Sequence, residues 1–316
     1  MESKTCLITG ICGFVGKHLA DFFNKKGYSV YGFDKNSKSL KNTKIFELDI
    51  LDKNGLNKLI ADVKPNYIIH LASQSSVKDS WDDPKKTHDI NVTGTKNLIE
   101  AVINNGLTND CRFLFVSSAE IYGIPNKFPI TEDHELKPVS PYGESRLEQE
   151  KLILDYEKKF GLNLVMARSF PHTGPGQANT FVLASFSYQI AKIENGFQKD
   201  VINVGNLEVE RDFLDVRDVV KTYALMLENK NLKGVFNICS GFGIKLSTAL
   251  ETLISFSNKD INIKIDKTRF RPNDIPVLIG DCSKFYKKTG WKQTIDFKKT
   301  LEDLLNYWRE QIKNQN

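Results

Sequence analysis

Apolar and polar positions fall in blocks along the first half of the chain. Short, nearly unbroken apolar runs at Thr5–Thr9, Ser29–Asp34, Lys44–Asp49, Tyr67–Ala72 and Arg112–Ser117 predict strands. Runs that do not alternate suit strands covered on both faces. Between them, apolar residues recur at helical spacing over Val15–Lys26, Gly55–Val63 and Pro84–Asn104. Strand–helix alternation of this kind predicts an α/β fold, a doubly wound parallel sheet with helices on both faces. A long helix is expected at Pro141–Phe160, followed by an apolar strand at Asn163–Ser169. Proline and glycine then gather at Pro171–Gly176, a loop signal. The order becomes less regular beyond it, with a helix near Phe181–Asn195, a strand near Val201–Val204, a helix near Val216–Glu228, a strand near Val235–Ile238 and a final helix near Phe297–Gln311. The pattern divides the chain into a sheet domain, 1–170, completed from within 200–240, and a smaller interleaved C-terminal part, 171–199 and 241–316.

Composition narrows the picture. The 316 residues can bury a sizeable core, and 40% of them are hydrophobic, as in a soluble globular protein. No apolar run approaches the roughly 18 residues of a bilayer span, and the start MESKTCLITG passes directly into a strand pattern rather than a signal peptide. No membrane partner is expected. Five cysteines, odd in number, widely spaced and without a CxxC pair, argue against zinc or a disulfide framework and suit a cytoplasmic location. The histidines lack metal-ligand spacing, so no metal is expected. The charge balance is 44 − 39 = +5, but the 44 cationic residues are eight arginines and 36 scattered lysines. Nucleic-acid binders concentrate such charge on one face or arm, and no nucleic-acid partner is expected.

Candidate chemistry begins at Gly10-Ile-Cys-Gly13-Phe-Val-Gly16, between the first strand and the first helix. Glycines there let the backbone turn and approach a pyrophosphate, and a helix N-terminus offers N–H donors. The same glycines can simply make a tight turn. The context favours a dinucleotide, because Asp34 closes the second strand 18 residues after Gly16. A carboxylate there binds both adenosine ribose hydroxyls and repels a 2′-phosphate, which favours NAD over NADP. Asp49-Ile50 ends the third strand, where the carboxylate either meets an adenine amino group or caps the following turn.

The second constellation is Ser117-Ser118-Ala119-Glu120-Ile121-Tyr122-Gly123, which emerges at the carboxyl end of a buried strand, the end where open α/β sheets bind ligands. Twenty-four residues after Ser118 stands Tyr142, opening Tyr142-Gly-Glu-Ser-Arg146 on a helix. Residues i and i+4 share a helix face. A cation beside a phenol favours its charged form, which suits proton exchange with an alcohol or carbonyl. Read alone, the pair favours a core aromatic and a surface charge.

Together these motifs, with His70-Leu-Ala-Ser73 between them, resemble the extended short-chain dehydrogenase/reductase family over essentially the full length. Ser169–Gln177, Val204–Asp218 and Arg271-Pro-Asn-Asp-Ile-Pro276 are similar to the GDP-sugar branch, the GDP-mannose 4,6-dehydratases and the GDP-4-keto-6-deoxyhexose reductases. The Arg-Asp-Phe-Leu-Asp-Val-Arg-Asp wording at 211–218 is closer to the reductases. The resemblance implies a Rossmann-type sheet with a C-terminal nucleotide-sugar part. It also implies an NAD-binding set of Gly10, Gly13, Phe14, Val15, Gly16, Asp34, Asp49, Ile50, Leu71, Ala72, Ser73, Tyr142 and Arg146. Tyr142 then exchanges a proton with the sugar C4 oxygen, Ser118 hydrogen-bonds that oxygen, and Asn91 supports the sheet near the cofactor. Gln74, Ser75, Ser118, His172, Arg211 and Arg271 are expected at the substrate, the two arginines near the nucleoside diphosphate. The helices Pro84–Asn104 and Pro141–Phe160 are expected at a homodimer or homotetramer interface.

Two positions depart from the family pattern. Its tyrosine motif is YxxxK, where this chain has Arg146, which keeps the charge but not the compact ammonium. Pro171 stands where the family carries an asparagine, and proline offers neither amide nor N–H. The implied reaction is hydride transfer at C4 of a GDP-hexose or GDP-heptose, in bacterial-type surface-polysaccharide sugar biosynthesis. Glu120 keeps a 4,6-dehydratase open, and a non-catalytic NAD and nucleotide-sugar binding module is the alternative of another class.

Overall fold

A computed structural model describes residues 3–270 and 273–314, and the chain forms two compact units. The first comprises residues up to Gly123, Glu132–Ser169 and Val220–Asn237. Its sheet is built from β1 (Thr5–Thr9), β2 (Ser29–Asp34), β3 (Thr43–Glu47), β4 (Tyr67–His70), β5 (Arg112–Ser118), β6 (Leu164–Ser169) and β7 (Gly234–Ile238). The order across the sheet is β3-β2-β1-β4-β5-β6-β7, and every pairing from β3 to β6 is parallel. The order reverses beside β1, between chains running out to β3 and out to β7, which is the switch point at which such sheets open a ligand crevice.

Sequence dictates these elements locally. Every residue of β4, β5 and β6 is buried, the polar His70, Arg112, Ser117, Ser118, Arg168 and Ser169 along with the apolar runs between them. Helix α1 (Phe14–Lys25) follows β1, and α2 (Lys53–Val63) opens at Asp52, whose side chain accepts from the Gly55 N–H. The run Pro84–Asn104 is helical throughout but not uniformly α-helical. Five residues, Asp89–Thr93, take π geometry before α3 (Gly94–Asn104). A π-turn admits one extra residue and is found mostly at functional sites. Helix α4 (Pro141–Phe160) is capped by Ser140 at its start and by Gly161, at φ 67°, at its end. Helix α5 (Val216–Glu228) leads toward β7. Leu7, Phe33, Leu56, Ile68, Leu98 and Phe115 stand at the centre of the core these elements enclose.

One buried cation fastens this sheet. The Arg112 guanidinium donates to the carbonyls of Met226 at 3.0 Å, Asn229 at 3.0 Å and Leu232 at 2.6 Å, and to Asn163 Oδ1 at 2.7 Å. Those carbonyls lie at and beyond the end of α5, where a helix has no N–H donors of its own left to satisfy them.

The second unit comprises Ile124–Thr131, Phe170–Val219 and the residues from Ile238 onward. Helices Val182–Glu194, Leu246–Ser255 and Phe297–Lys313 enclose a core including Phe186, Ile190, Leu250, Leu301 and Leu304. Of the segment 200–240, Gly234–Ile238 joins the large sheet, whereas Val201–Val204 pairs in parallel with Asn262–Ile265. Among the described residues no helix is long and apolar enough to cross a membrane.

Candidate active site

The glycine loop lies between β1 and α1. Gly10 adopts φ +66°, and a Cβ there would stand 3.0 Å from the Ala72 backbone, so only glycine allows the turn to lie against the end of β4. Helix α1 starts at Gly13 with no side-chain cap and no acidic residue in its first turn. Asp34 closes β2 beside the loop, its Oδ2 accepting the Cys12 N–H at 3.2 Å. Glycine cradle, uncapped helix start and adjacent carboxylate together fit a dinucleotide with its pyrophosphate at α1 and a ribose at Asp34. Lys35 is held away by an ion pair to Asp49 at 3.1 Å. Asp49 also accepts the Leu51 N–H at 3.0 Å, and these contacts hold its carboxyl below the usual range. The cap of α2 falls to Asp52 instead of Asp49. Ile50 is buried against Gly94.

Ser118 ends β5 and caps the short 3-10 turn Ala119–Tyr122, its Oγ accepting the Glu120 N–H at 3.2 Å. The first turn of α4 comes to this turn directly. A Cβ on Gly143 would stand 2.9 Å from the Glu120 carbonyl, so a glycine after Tyr142 is what lets the two backbones meet. Tyr142 is buried, and its phenol oxygen accepts from Arg146 Nε at 3.1 Å. Arg146 also donates to Gln149 Oε1 at 2.7 Å and to Ser73 Oγ at 3.2 Å. No described carboxylate lies within ion-pair reach of this guanidinium, which is only 5% exposed. Its full charge therefore acts on neutral acceptors, the phenol oxygen among them.

A buried hydrogen-bond chain, not evident from sequence, supports the pair. Thr95 Oγ1 donates to the Asn91 carbonyl at 2.6 Å and accepts from Gln149 Nε2 at 2.6 Å. It lies 2.8 Å from His70 Nε2, so the imidazole must be the donor there. Nδ1 then accepts from Thr9 Oγ1 at 2.8 Å, and Thr9 in turn accepts the Leu71 and Ala72 N–H groups at 3.1 and 2.9 Å. That capture of Leu71 and Ala72 ends β4 at His70, two residues earlier than the apolar run suggests. Asn91, within the π-turn, accepts from the Gln74 N–H at 2.8 Å and donates to the Gln74 carbonyl at 3.1 Å and Ser145 Oγ at 2.9 Å. It ties the loop after β4 to α4.

The network predicts a pH dependence. Burial, and secondarily the Arg146 cation, push the His70 pKa down to about 3. The unfolded chain takes up this proton near pH 6.5 and the folded chain does not, so the unfolded state binds more protons below that pH. Folding stability from His70 is complete above about pH 6.5 and falls by up to about 1.4 kcal/mol per pH unit on acidification toward pH 3. Urea unfolding of wild type and His70→Gln between pH 7 and pH 5 checks this. An identical pH slope in both proteins contradicts it.

Other predicted positions have these surroundings. Gln74 turns back on Ser76, accepting its N–H at 2.7 Å, and Ser75 lies exposed next to it. In the second unit, Arg211 donates to Asp274 Oδ1 at 2.9 Å and to the Glu210 carbonyl at 3.0 Å. His172 Nδ1 lies 3.0 Å from the Phe170 carbonyl, and desolvation lowers its affinity for a proton. The Pro171 carbonyl accepts the Leu214 N–H at 3.0 Å. Arg271 lies outside the described residues. The acids of the 211–218 segment fasten loops. Asp212 accepts from Ser240, Gly241 and Gly280, Asp215 pairs with Arg217 at 2.7 Å, and Asp218 accepts from Thr294 and Ile295.

Sequence reasoning passed over Gln149, Thr95 and Tyr223. Gln149 lies three residues from Arg146 and seven from Tyr142, a spacing that puts all three on one face of α4. Tyr223, on α5, shares a hydrogen bond with Ser169 at the end of β6, and burial raises its phenol above the ordinary range.

The sequence profile of the GDP-mannose 4,6 dehydratase family matches residues 7–304. The GDP-6-deoxy-D-mannose reductase of Pseudomonas aeruginosa is 33% identical over 315 residues, covering 99% of this chain and 100% of the relative. The human GDP-mannose 4,6 dehydratase is 30% identical, over 96% of this chain and 91% of its own. Among solved structures, RMD from Pseudomonas aeruginosa complexed with NADPH superposes with a TM-score of 0.85 at 32% identity, covering 98% of this chain and 100% of that one. The Thermus thermophilus UDP-glucose 4-epimerase complex with NAD gives 0.88 at 26% identity, over 96% and 99%. With a sheet of this order, a glycine loop at β1 and a tyrosine–cation pair on α4, the chain belongs to the GDP-mannose 4,6-dehydratase family of extended short-chain dehydrogenase/reductase enzymes.

Proposed function

We propose that this chain is an oxidoreductase that transfers hydride at C4 of a GDP-sugar, with NAD as cofactor and Tyr142 as proton donor and acceptor. The observation that carries the reading is the Arg146 Nε bond to the Tyr142 oxygen, 3.1 Å, in a helix turn seated against the Ser118–Glu120 turn. Similarity to a GDP-6-deoxy-D-mannose reductase along the whole of both chains supports the GDP-sugar and favours C4 reduction over dehydration.

The nicotinamide supplies or accepts the hydride at C4. Each protein hydroxyl near that carbon has its oxygen already engaged by a protein N–H, Ser118 by Glu120 and Tyr142 by Arg146. Each O–H is then left to donate to the substrate's C4 oxygen. In the reductive direction the Tyr142 proton passes to that oxygen, and the guanidinium stabilises the negative charge left on the phenol. In the oxidative direction the proton returns to Tyr142. Arg211 and Arg271 are assigned to the diphosphate, where forked donors suit phosphate oxygens. We further propose a role in surface-polysaccharide sugar biosynthesis and a homodimer or homotetramer, and the five free thiols suit a cytoplasmic setting.

Products followed by NMR, from GDP-4-keto-6-deoxymannose with NADH or NADPH and from GDP-mannose with NAD, test the reading. Reduction at C4 coupled to cofactor oxidation is expected. Solvent deuterium at C5 instead marks dehydration through Glu120, and binding of both ligands without any turnover marks a non-catalytic module.

The cofactor assignment rests on Asp34. Replacing it by alanine removes charged hydrogen bonds to the ribose with a net loss of about 1.5–3 kcal/mol in all, so NADH affinity falls about 10- to 100-fold while NADPH is tolerated better. Fluorescence titration of both cofactors measures the change. Unaltered NADH affinity takes Asp34 out of the ribose site.

A further inference from the structure

We propose that Gln149 is a positioning residue that aims the Arg146 guanidinium at Tyr142, so that an arginine can do what a lysine does in YxxxK relatives. The inference rests on reading Tyr142 and Arg146 as the proton-exchange pair. A lysine ammonium is compact and rotates freely, and any of its three N–H groups can serve a phenol. A guanidinium is planar with five N–H groups in fixed directions, so its orientation decides which nitrogen, if any, meets the phenol oxygen. Something must fix that orientation at position 146, and among the described residues no carboxylate does so.

Gln149 has the geometry for it. Its Oε1 accepts from Arg146 Nη1 at 2.7 Å, closer than the 3.1 Å from Nε to Tyr142 and the 3.2 Å from Nη2 to Ser73. The side chain is 0% exposed, and its other end donates to Thr95 Oγ1 at 2.6 Å. The amide has a single orientation. Turned over, its NH2 group would face the Arg146 donors, and its oxygen would face a Thr95 hydroxyl whose hydrogen already points at the Asn91 carbonyl. Thr95 is itself held by His70 and so, through Thr9, by the end of β1. The anchor for the fork therefore reaches the sheet. Its neutrality matters as well. A glutamate at 149 would pair with the guanidinium and draw its charge from the phenol oxygen, whereas an amide oxygen fixes the fork and leaves the charge intact.

The test is a double-mutant cycle on the full-length protein with Gln149→Leu, Arg146→Lys and the double variant, and with Gln149→Glu as an isosteric arm expected to fold. Gln149→Leu should lower kcat about 10- to 100-fold, the scale of a small misplacement, with KM within about twofold. Its pH profile should move to higher pH, because the phenol oxygen loses a well-aimed cationic donor. Gln149→Glu should move the profile in the same direction. Arg146→Lys should restore much of the loss in the Gln149→Leu background, since an ammonium needs no aiming. Multiplicative effects in the cycle, or a fall in melting temperature with kcat and pH profile unchanged, overturn the proposal and leave Gln149 a packing residue. Ultraviolet difference titration of the phenolate, with and without Gln149→Leu and referenced to Tyr142→Phe, needs no substrate. An upward shift supports the aiming role even if no GDP-sugar turns over, in which case only the reaction assignment fails. An unmoved titration overturns the role even in an active enzyme.

Discussion

Tyr142→Phe lowers kcat by about 10²- to 10⁴-fold, the usual worth of a positioned acid–base group, while KM and cofactor affinity stay near wild type. The ring fills the same buried volume and keeps the Arg146 guanidinium over its face, 5.3 Å from the centroid. Only the oxygen is lost, and with it the one group in the turn that both receives the Arg146 Nε–H and carries a transferable proton. Binding should survive, because the glycine loop between β1 and α1, and Asp34 at the end of β2, are left unchanged. Steady-state kinetics with the keto-sugar and fluorescence titration of the cofactor separate the two effects. Turnover within about tenfold of wild type removes Tyr142 from the chemistry.

The largest expected effect on stability comes from a different residue of the same helix. Glu150 is buried on α4 and grips Arg168 of β6 side-on, with Nε at 3.1 Å and Nη2 at 2.9 Å from its two oxygens. The remaining Arg168 nitrogen donates to Tyr122 Oη at 3.0 Å and to the Glu132 carbonyl at 2.9 Å. Tyr122, its phenol pushed up to about 12 by burial, donates a hydrogen bond to Asn237 Oδ1 at 2.7 Å. Glu150→Gln leaves the guanidinium buried without its counter-charge, and the cost is about 3–5 kcal/mol. Glu150→Leu with Arg168→Met, which removes both charges, costs less than the single change despite deleting more bonds. Urea unfolding of the three proteins at neutral pH decides this, and a single-variant loss below about 1 kcal/mol contradicts the account. Because Arg168 and Tyr122 meet here, the same variant should also loosen the Ser118–Tyr122 turn and lower kcat.

The sheet was legible because its strands are covered on both faces. Cys6–Ile8, Tyr67–His70 and Phe113–Val116 are apolar or tightly bonded at every position, and no surface helix reads that way. The Tyr142–Arg146 contact was legible from the i, i+4 spacing alone. Harder to see were elements whose stability comes from partners far along the chain. Asn262–Ile265 is exposed at every residue and forms a strand only through Val201–Val204. Its alternating polar and apolar letters carry no burial signal. The π-turn escaped notice because a helical period continues through it. Gln149 looked like any solvated helix residue, since hydropathy cannot tell an amide bonded at both ends from one in water. Arg211 was legible only through its motif context, and in the structure its guanidinium pairs with Asp274.

Arg112 also sets a clock on biosynthesis. Its β5 is made early, but the carbonyl of Leu232 that it binds comes 120 residues later. At about 5–20 residues per second, the ribosome takes roughly 6–24 s to supply it. For most of that interval the nascent sheet lacks both β7 and the Met226, Asn229 and Leu232 carbonyls for a guanidinium that later sits out of water. The usual sequence, in which an N-terminal domain closes before the next is translated, is therefore barred by connectivity. The half-made sheet, with β6 as an open apolar edge, is the species that a chaperone or a slow codon run would have to protect.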